Sequence, residues 1–298
     1  MKIALSGSSG FLGTNLISYL NNFVSIKPLK RDEIIGDKLA DVQAVINFAG
    51  LAHDLKKVSN SSAYYKVNTE YGNRLFDAFL ASDAEVFITI SSVKAVADVT
   101  EEILTEEMNP NPQTHYGKSK LLADYYIQSK QIPVGKRVYI LRPCMIHGPG
   151  NKGNLNLIYQ IIRRGIPWPL GSFENKRSYC SVENICFVIK ELIQREDIPS
   201  GIYNVSDDVP ISTNQLVQII GDIMGNKIYI WKISPKVIRL FALLGDFIRL
   251  PLNSDRLSKL TENYVVSNNK LMKVIGKQLP VNSIEGFKKT IASLRGGK

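Results

Sequence analysis

Cysteine and histidine are both scarce in this chain of 298 residues, at three each. Cys144, Cys180 and Cys186 form no CxxC pair and no even set, which argues against a disulfide framework and for buried thiols in a reducing compartment. His53, His115 and His147 have no partner at metal-ligand spacing and no HExxH occurs, so no metal is expected. Solvent, core or pocket-wall roles are expected of them instead. No repeat or low-complexity tract is visible. Long apolar runs are missing too. The longest near the C-terminal half, residues 237–252, is interrupted by Arg239, Asp246 and Arg249 and is too short and too charged to span a bilayer. Its stripe at residues 237–250 reads as core rather than as a membrane helix, although its basic residues permit peripheral attachment. Residues 1–6 enter a strand directly and leave no room for a signal peptide. A soluble, cytoplasmic protein is the expectation.

Positive charge, by contrast, is plentiful: the formal net charge is +10. The lysines and arginines are spread along the chain, with no basic block, zinc-ligand spacing or aromatic RNA-binding signature, so nucleic acid is not the expected partner. A site for phosphate-rich small molecules, together with solubility or attraction to an anionic membrane surface, accounts for the charge. An apolar fraction of 44% marks an ordinary globular chain, long enough for one large α/β unit or a nucleotide domain with a smaller lobe.

Along the chain, a short apolar strand at residues 2–5 meets a glycine turn and then an apolar-periodic helix at 11–19. A second strand is expected at 23–29, near its end at Pro28. The run at 44–49 is almost continuously apolar, as a parallel strand buried on both faces requires. A helix at 65–80, a strand at 86–90, a helix at 115–130 and a strand at 138–141 follow. This alternation predicts a parallel, doubly wound α/β sheet, in which ligands bind beyond the carboxyl ends of the strands. After Pro143 the rhythm breaks into loops. A strand near 201–206 is expected to return to the sheet, and the chain from about 207 onward reads as largely helical, with a short strand near 227–230. The expected division is a dinucleotide-binding domain over 1–145 and an interwoven, mostly helical substrate lobe over 146–298.

Three groups of residues carry chemistry. Gly7, Gly10 and Gly13 join the first strand to the first helix. Such glycines let backbone amides approach a pyrophosphate at the positive end of the helix, although the spacing is GxxGxxG rather than GxGxxG. At the end of the second strand, where an acidic residue would hold ribose hydroxyls, stand Lys30 and Arg31. These favour NADP(H), with NAD(H) as the alternative because Asp32 follows. Tyr116 and Lys120 lie four apart, on one helix face. A tyrosine titrates at about 10 in isolation, and a neighbouring ammonium is expected to bring it towards the working range. Upstream, Ser92 closes a strand where its hydroxyl can bind the same carbonyl oxygen.

Taken together, Gly7/Gly10/Gly13, the Asn47-Phe48-Ala49-Gly50 run, Ser91-Ser92 and Tyr116-x-x-x-Lys120 resemble the extended short-chain dehydrogenase/reductase superfamily, in its nucleotide-sugar epimerase/dehydratase branch. The likeness continues through Arg142-Pro143, His147-Gly148-Pro149-Gly150, Lys152-Gly153-Asn154 and Arg177-Ser178-Tyr179. Ser91-Ser92-Val93-Lys94 and residues 148–154 are most similar to bacterial reductases of UDP-4-keto-6-deoxy-N-acetylhexosamines, which serve surface-polysaccharide synthesis. The resemblance implies a Rossmann-like fold and a set of roles. Ser92, Tyr116 and Lys120 would be catalytic, with Ser92 also binding substrate. Gly7, Ser9, Gly10, Phe11, Leu12, Lys30, Arg31, Phe48, Ala49 and Gly50 would line the cofactor with Tyr116 and Lys120, and Asn68 would support the strand end beside it. Asn154, Arg177 and Arg256 would hold the UDP group, for which a guanidinium fork suits phosphate oxygens. A homodimer through the helices at 65–80 and 115–130 is likewise implied.

Two features depart from the pattern. The 4,6-dehydratases carry an Asp-Glu pair where this chain has Val93 and Lys94, so dehydration is not expected. The tract from Arg31 to residue 41 is also short, which leaves the adenine contacts unassigned. The expected activity is reduction of a UDP-linked 4-keto sugar, with an NAD-retaining 4-epimerase as the alternative. A catalytically silent dinucleotide sensor would have no need of Ser92, Tyr116 and Lys120.

Overall fold

A computed structural model describes residues 1–21, 23–30, 39–51, 61–151, 155–248 and 252–296. Arg31, Asn154, Asp32 and His53, all considered above, lie outside the described residues, as do Lys152 and Gly153.

The first part of the chain lays down β1 (Lys2–Ser6), α1 (Phe11–Leu20), β2 (Ser25–Leu29) and β3 (Ala44–Asn47). Next comes one long helical stretch: a short α2 (Ser62–Tyr64), a π-helical segment (Tyr65–Glu70) and α3 (Tyr71–Leu80). Then follow β4 (Val86–Ile90), a 3-10 turn (Val93–Ala95), α4 (His115–Gln128), β5 (Arg137–Pro143), β6 (Met145–His147), α5 (Leu155–Arg163), β7 (Tyr179–Ser181), α6 (Val182–Gln194) and β8 (Gly201–Val205). Five helices finish the described chain: α7 (Thr213–Met224), α8 (Pro235–Ile248), α9 (Ser254–Thr261), α10 (Asn269–Ile275) and α11 (Ser283–Gly296).

Six strands form one parallel sheet in the order β2-β1-β3-β4-β5-β8, and β6 and β7 make a separate parallel pair. The α/β doubly wound fold expected from the pattern is what the chain adopts. Strand pleating divides the apolar residues between two faces. Ile3, Leu5, Ile46, Ile88 and Leu141 pack with Leu16 of α1 and Ile185 of α6. Ala4, Val45, Phe87 and Ile140 turn the other way, onto Leu75, Phe76 and Phe79 of α3. Central strands covered on both faces are largely apolar, and every residue of β3 and β4 is buried, with Asn47 and Thr89 as the polar members. Removing one of the stacked phenylalanines would cost about 3–5 kcal/mol through lost burial and the cavity left behind. A second core, around Trp168, Ile220 and Phe287, holds the C-terminal helices together.

The sheet positions the site. Its order reverses at β1, which has β2 on one side and β3 on the other, so a crevice opens at the carboxyl ends of these strands. Three local expectations shift. β2 starts at Ser25 rather than at residue 23. The helix expected at 65–80 begins at Ser62 and contains the π-helical segment, an extra-residue widening that apolar periodicity does not reveal. Residues 227–230 form no strand: Ile230 has only an isolated bridge to Trp168, because no further strand lies beside it to extend the ladder.

Candidate active site

The crevice begins at the glycine turn. Gly7 has φ +69, and a Cβ there would lie 2.7 Å from the carbonyl carbon of Phe48. At Gly13 a Cβ would come within 2.3 Å of the Gly7 carbonyl oxygen. Backbone from β1, β3 and α1 therefore converges where no side chain fits. Gly10 caps α1 without a side-chain hydrogen bond, and the first turn holds no acidic residue, so its amides are available to an anion. Ser9 and Gly10 are exposed, while Phe11 and Leu12 are half-buried behind them. These features fit the pyrophosphate of a dinucleotide. Lys30 is exposed one residue beyond Leu29, which pairs with Ser6 at the end of β1.

A buried polar chain stiffens the strand ends. The Ser6 hydroxyl donates to Asn47 Oδ1 (2.7 Å) and accepts from the Ala49 amide (3.2 Å), and Asn47 Nδ2 donates to the Thr89 hydroxyl (3.3 Å). Asn68, carried inward on the π-helical segment, accepts from the Leu51 amide (2.8 Å) and donates to the Leu51 carbonyl (3.2 Å) and the Ser119 hydroxyl (3.0 Å). It thereby ties the end of β3 to α4. A Cβ on Gly50 would sit 3.2 Å from both Asn68 Oδ1 and Lys120 Nζ, so the glycine, the amide and the ammonium meet at one point.

Ser92 meets Tyr116, and Lys120 follows Tyr116 by one turn of α4 with its ammonium at the end of β4. The Ser92 hydroxyl accepts from the Lys94 amide (3.1 Å), which orients it, and it is hydrogen-bonded to the Tyr116 hydroxyl. Lys120 Nζ donates to the Ile90 carbonyl (2.8 Å) at the end of β4. Asp98 places Tyr116 by binding the start of α4: its carboxylate accepts from the amides of Gln113 (2.6 Å) and Thr114 (3.0 Å) and from the Thr114 hydroxyl (2.8 Å). Burial pushes the Asp98 carboxyl up, but these donors outweigh it and hold the group below its ordinary range.

The electrostatics differ from the expectation. Burial raises the Tyr116 phenol, only partly offset by Ser92, and the Asp124 carboxylate raises it further. Burial also brings Lys120 down to about 8, against the opposing pull of Asp124. In the free chain desolvation is the largest effect on both groups, so Tyr116 is a firmly held phenol and Lys120 an ammonium that gives up its proton more readily than usual. Asp124 is itself buried and bound by Arg142 through Nε (2.9 Å) and Nη2 (2.9 Å), both on one carboxylate oxygen. Neither member of that pair was singled out for the site from sequence. Only a buried Asp one turn beyond Lys120 could have signalled it.

On the substrate side, the Arg177 guanidinium reaches the Lys259 carbonyl in the last turn of α9, and Arg256 is exposed in the first turn of the same helix. Lys94, two residues after Ser92, donates to the Asp98 carbonyl and lies 4.1 Å over the Tyr264 ring. Burial brings Lys94 down to about 8, and the nearby Arg177 adds to that shift while Asp98 opposes it. A cationic edge thus runs from the Ser92–Lys94 turn towards α9. His147 takes a core role, bonded to the Thr290 hydroxyl (2.9 Å) and facing Asp207 (3.3 Å). The three cysteines are buried, and among the described residues no group of side chains could hold a metal ion.

A glycine-lined crevice at the switch point of a parallel sheet, with the Lys120 ammonium at its edge, is the architecture of a Rossmann-type oxidoreductase. Residues 3–206 match the model of the NAD dependent epimerase/dehydratase family, and the chain belongs to that family. It is 28% identical to a UDP-glucose 4-epimerase of Vibrio cholerae, over 97% of this chain and 94% of the relative. It is also 28% identical to an N-acetyl-alpha-D-glucosaminyl-diphospho-ditrans,octacis-undecaprenol 4-epimerase of Escherichia coli O157:H7, over 91% and 85% of the two chains. The fold matches UDP-N-acetylglucosamine 4-epimerase from Bacillus cereus with a TM-score of 0.78, at 18% identity and covering 99% of this chain and 100% of the other.

Proposed function

We propose that the protein reduces the C4 ketone of a UDP-4-keto-6-deoxy-N-acetylhexosamine for surface-polysaccharide synthesis, using NADP(H) in preference to NAD(H). The observation that carries this reading is the Tyr116 hydroxyl, kept protonated by burial and bonded to Ser92. Ketone reduction needs a proton donor at the carbonyl oxygen, and a phenol in that state is one. A reduced nicotinamide held beside Gly50 and Lys120 would supply a hydride for C4. Ser92 fixes the oxygen, Tyr116 gives its proton to it, and the resulting phenolate is stabilised by the Lys120 ammonium one helical turn away. Phe48, Ala49, Gly50 and the Gly7–Gly13 turn would hold the dinucleotide, and Lys30 and Arg31 support a 2′-phosphate. Arg177 and Arg256, with Asn154, would hold the diphosphate and ribose of the substrate, converting remote binding into alignment at the reacting carbon. A homodimer would use α3 and α4, where Leu122 and Tyr125 are about half exposed.

Tyr116→Phe should leave NADPH affinity nearly intact and lower turnover by about 10²-fold or more. The assay follows NADPH absorbance with UDP-4-keto-6-deoxy-GlcNAc and identifies the product by NMR. Undiminished turnover by the variant would remove the mechanism. A second reading, 4-epimerisation of a UDP-hexose or UDP-N-acetylhexosamine, is favoured by the name of the Vibrio cholerae relative, while the Escherichia coli relative is named for 4-epimerisation of a lipid-linked N-acetylglucosamine. It requires tightly retained NAD and no net consumption. Stoichiometric NAD released from the purified protein on denaturation would select it, and stoichiometric oxidation of added NADPH would select the reductase.

A further inference from the structure

Most of the large apolar side chains of α8 are exposed. Its inner face is made of Ile238, Ala242 and Gly245, all buried. Gly245 lies so close to the following segment that a Cβ would meet the Leu252 carbonyl oxygen at 2.0 Å. Packing against the core is thus done mainly by the smaller residues. Leu240, Leu244, Phe247 and Ile248 face outward, with Phe247 83% and Ile248 67% exposed. Trp231, on the segment leading into the helix, is 54% exposed. Exposed apolar side chains repeated along one helix face in this way mark an interaction surface.

The charges around it select the occupant. Lys232, Lys236 and Arg239 are exposed on this segment, and no salt bridge among the described residues engages them. The single acidic residue of α8, Asp246, is occupied by the amide (3.0 Å) and hydroxyl (2.6 Å) of Ser254. A second copy docked symmetrically would set this basic group against itself. An anionic bilayer would instead receive the apolar face in its acyl boundary and the cations at its headgroups, with the indole at the interface where tryptophans gather. Among the described residues no helix is long and apolar enough to cross a membrane, so the fit is to lying on one.

We propose that α8, with Trp231 and its basic neighbours, is an in-plane docking surface for an anionic membrane. The test is flotation of the full chain with phosphatidylglycerol-containing vesicles and with pure phosphatidylcholine vesicles. The protein should float with the anionic vesicles at low salt and be released by salt. Lys232→Gln and Lys236→Gln should each lower partitioning about fivefold. A Leu240→Ser/Phe247→Ser variant should lose about tenfold or more. Because these side chains are exposed, thermal melts should match the parent chain and separate loss of docking from loss of folding. No flotation at low salt, or equal flotation of parent and variants, would overturn the proposal. So would a dimer in sedimentation that Phe247→Ser dissociates without any vesicle binding, since the occupant would then be a second copy.

Discussion

Replacing Lys120 with methionine should change stability with a sign that depends on pH. The ammonium is buried, and its titration falls from 10.5 to about 8 because desolvation penalises the charged form. At about 1.4 kcal/mol per pH unit, carrying that charge at neutral pH costs the folded state about 3 kcal/mol. For a basic group lowered in the folded state, the penalty is complete below pH 8. It is relieved between about 8 and 10.5, where the unfolded chain is still protonated and the folded chain is not. Methionine has similar bulk and removes the penalty, but it leaves the Ile90 carbonyl without its donor, a loss of about 1–3 kcal/mol. The variant should therefore equal or exceed the parent by up to about 2 kcal/mol at pH 7 and be less stable by about 1–3 kcal/mol near pH 10.5. Urea melts followed by circular dichroism at both pH values measure the difference. A stability gap that stays constant from pH 7 to 10.5 would refute the claim that desolvation governs this lysine. Turnover should be lost at every pH, since the phenolate left on Tyr116 would have no cation beside it.

Gly13→Ala should weaken dinucleotide binding by about tenfold or more in fluorescence titration, because the new methyl would meet the Gly7 carbonyl and force the turn open. Parent-like affinity would show that the turn does not cradle the cofactor. Asp124→Asn should destabilise the fold by about 3–5 kcal/mol, since Arg142 is left buried without its carboxylate. Asp124→Asn combined with Arg142→Met should recover much of that loss in the same denaturation experiment, and failure to recover would mean that the pair is not the reason.

What the sequence determined by itself was local. The glycine turn after β1, the four-residue step from Tyr116 to Lys120 and the serine closing β4 are fixed by chain spacing, and helix and strand periods turn such spacing into geometry. The almost continuously apolar run at β3 likewise announced a sheet covered on both faces. Tertiary structure decided the rest. Asn68, on the π-helical segment Tyr65–Glu70, meets Leu51 beyond the end of β3 across 17 residues. Asp124 meets Arg142 across 18 residues, and Ser6 meets Asn47 across 41. The direction of the Tyr116 shift was read from its lysine neighbour and came out reversed. A neighbour's identity is written in the chain, but the water excluded around the phenol depends on segments folded against it from elsewhere, and here that exclusion is the larger effect.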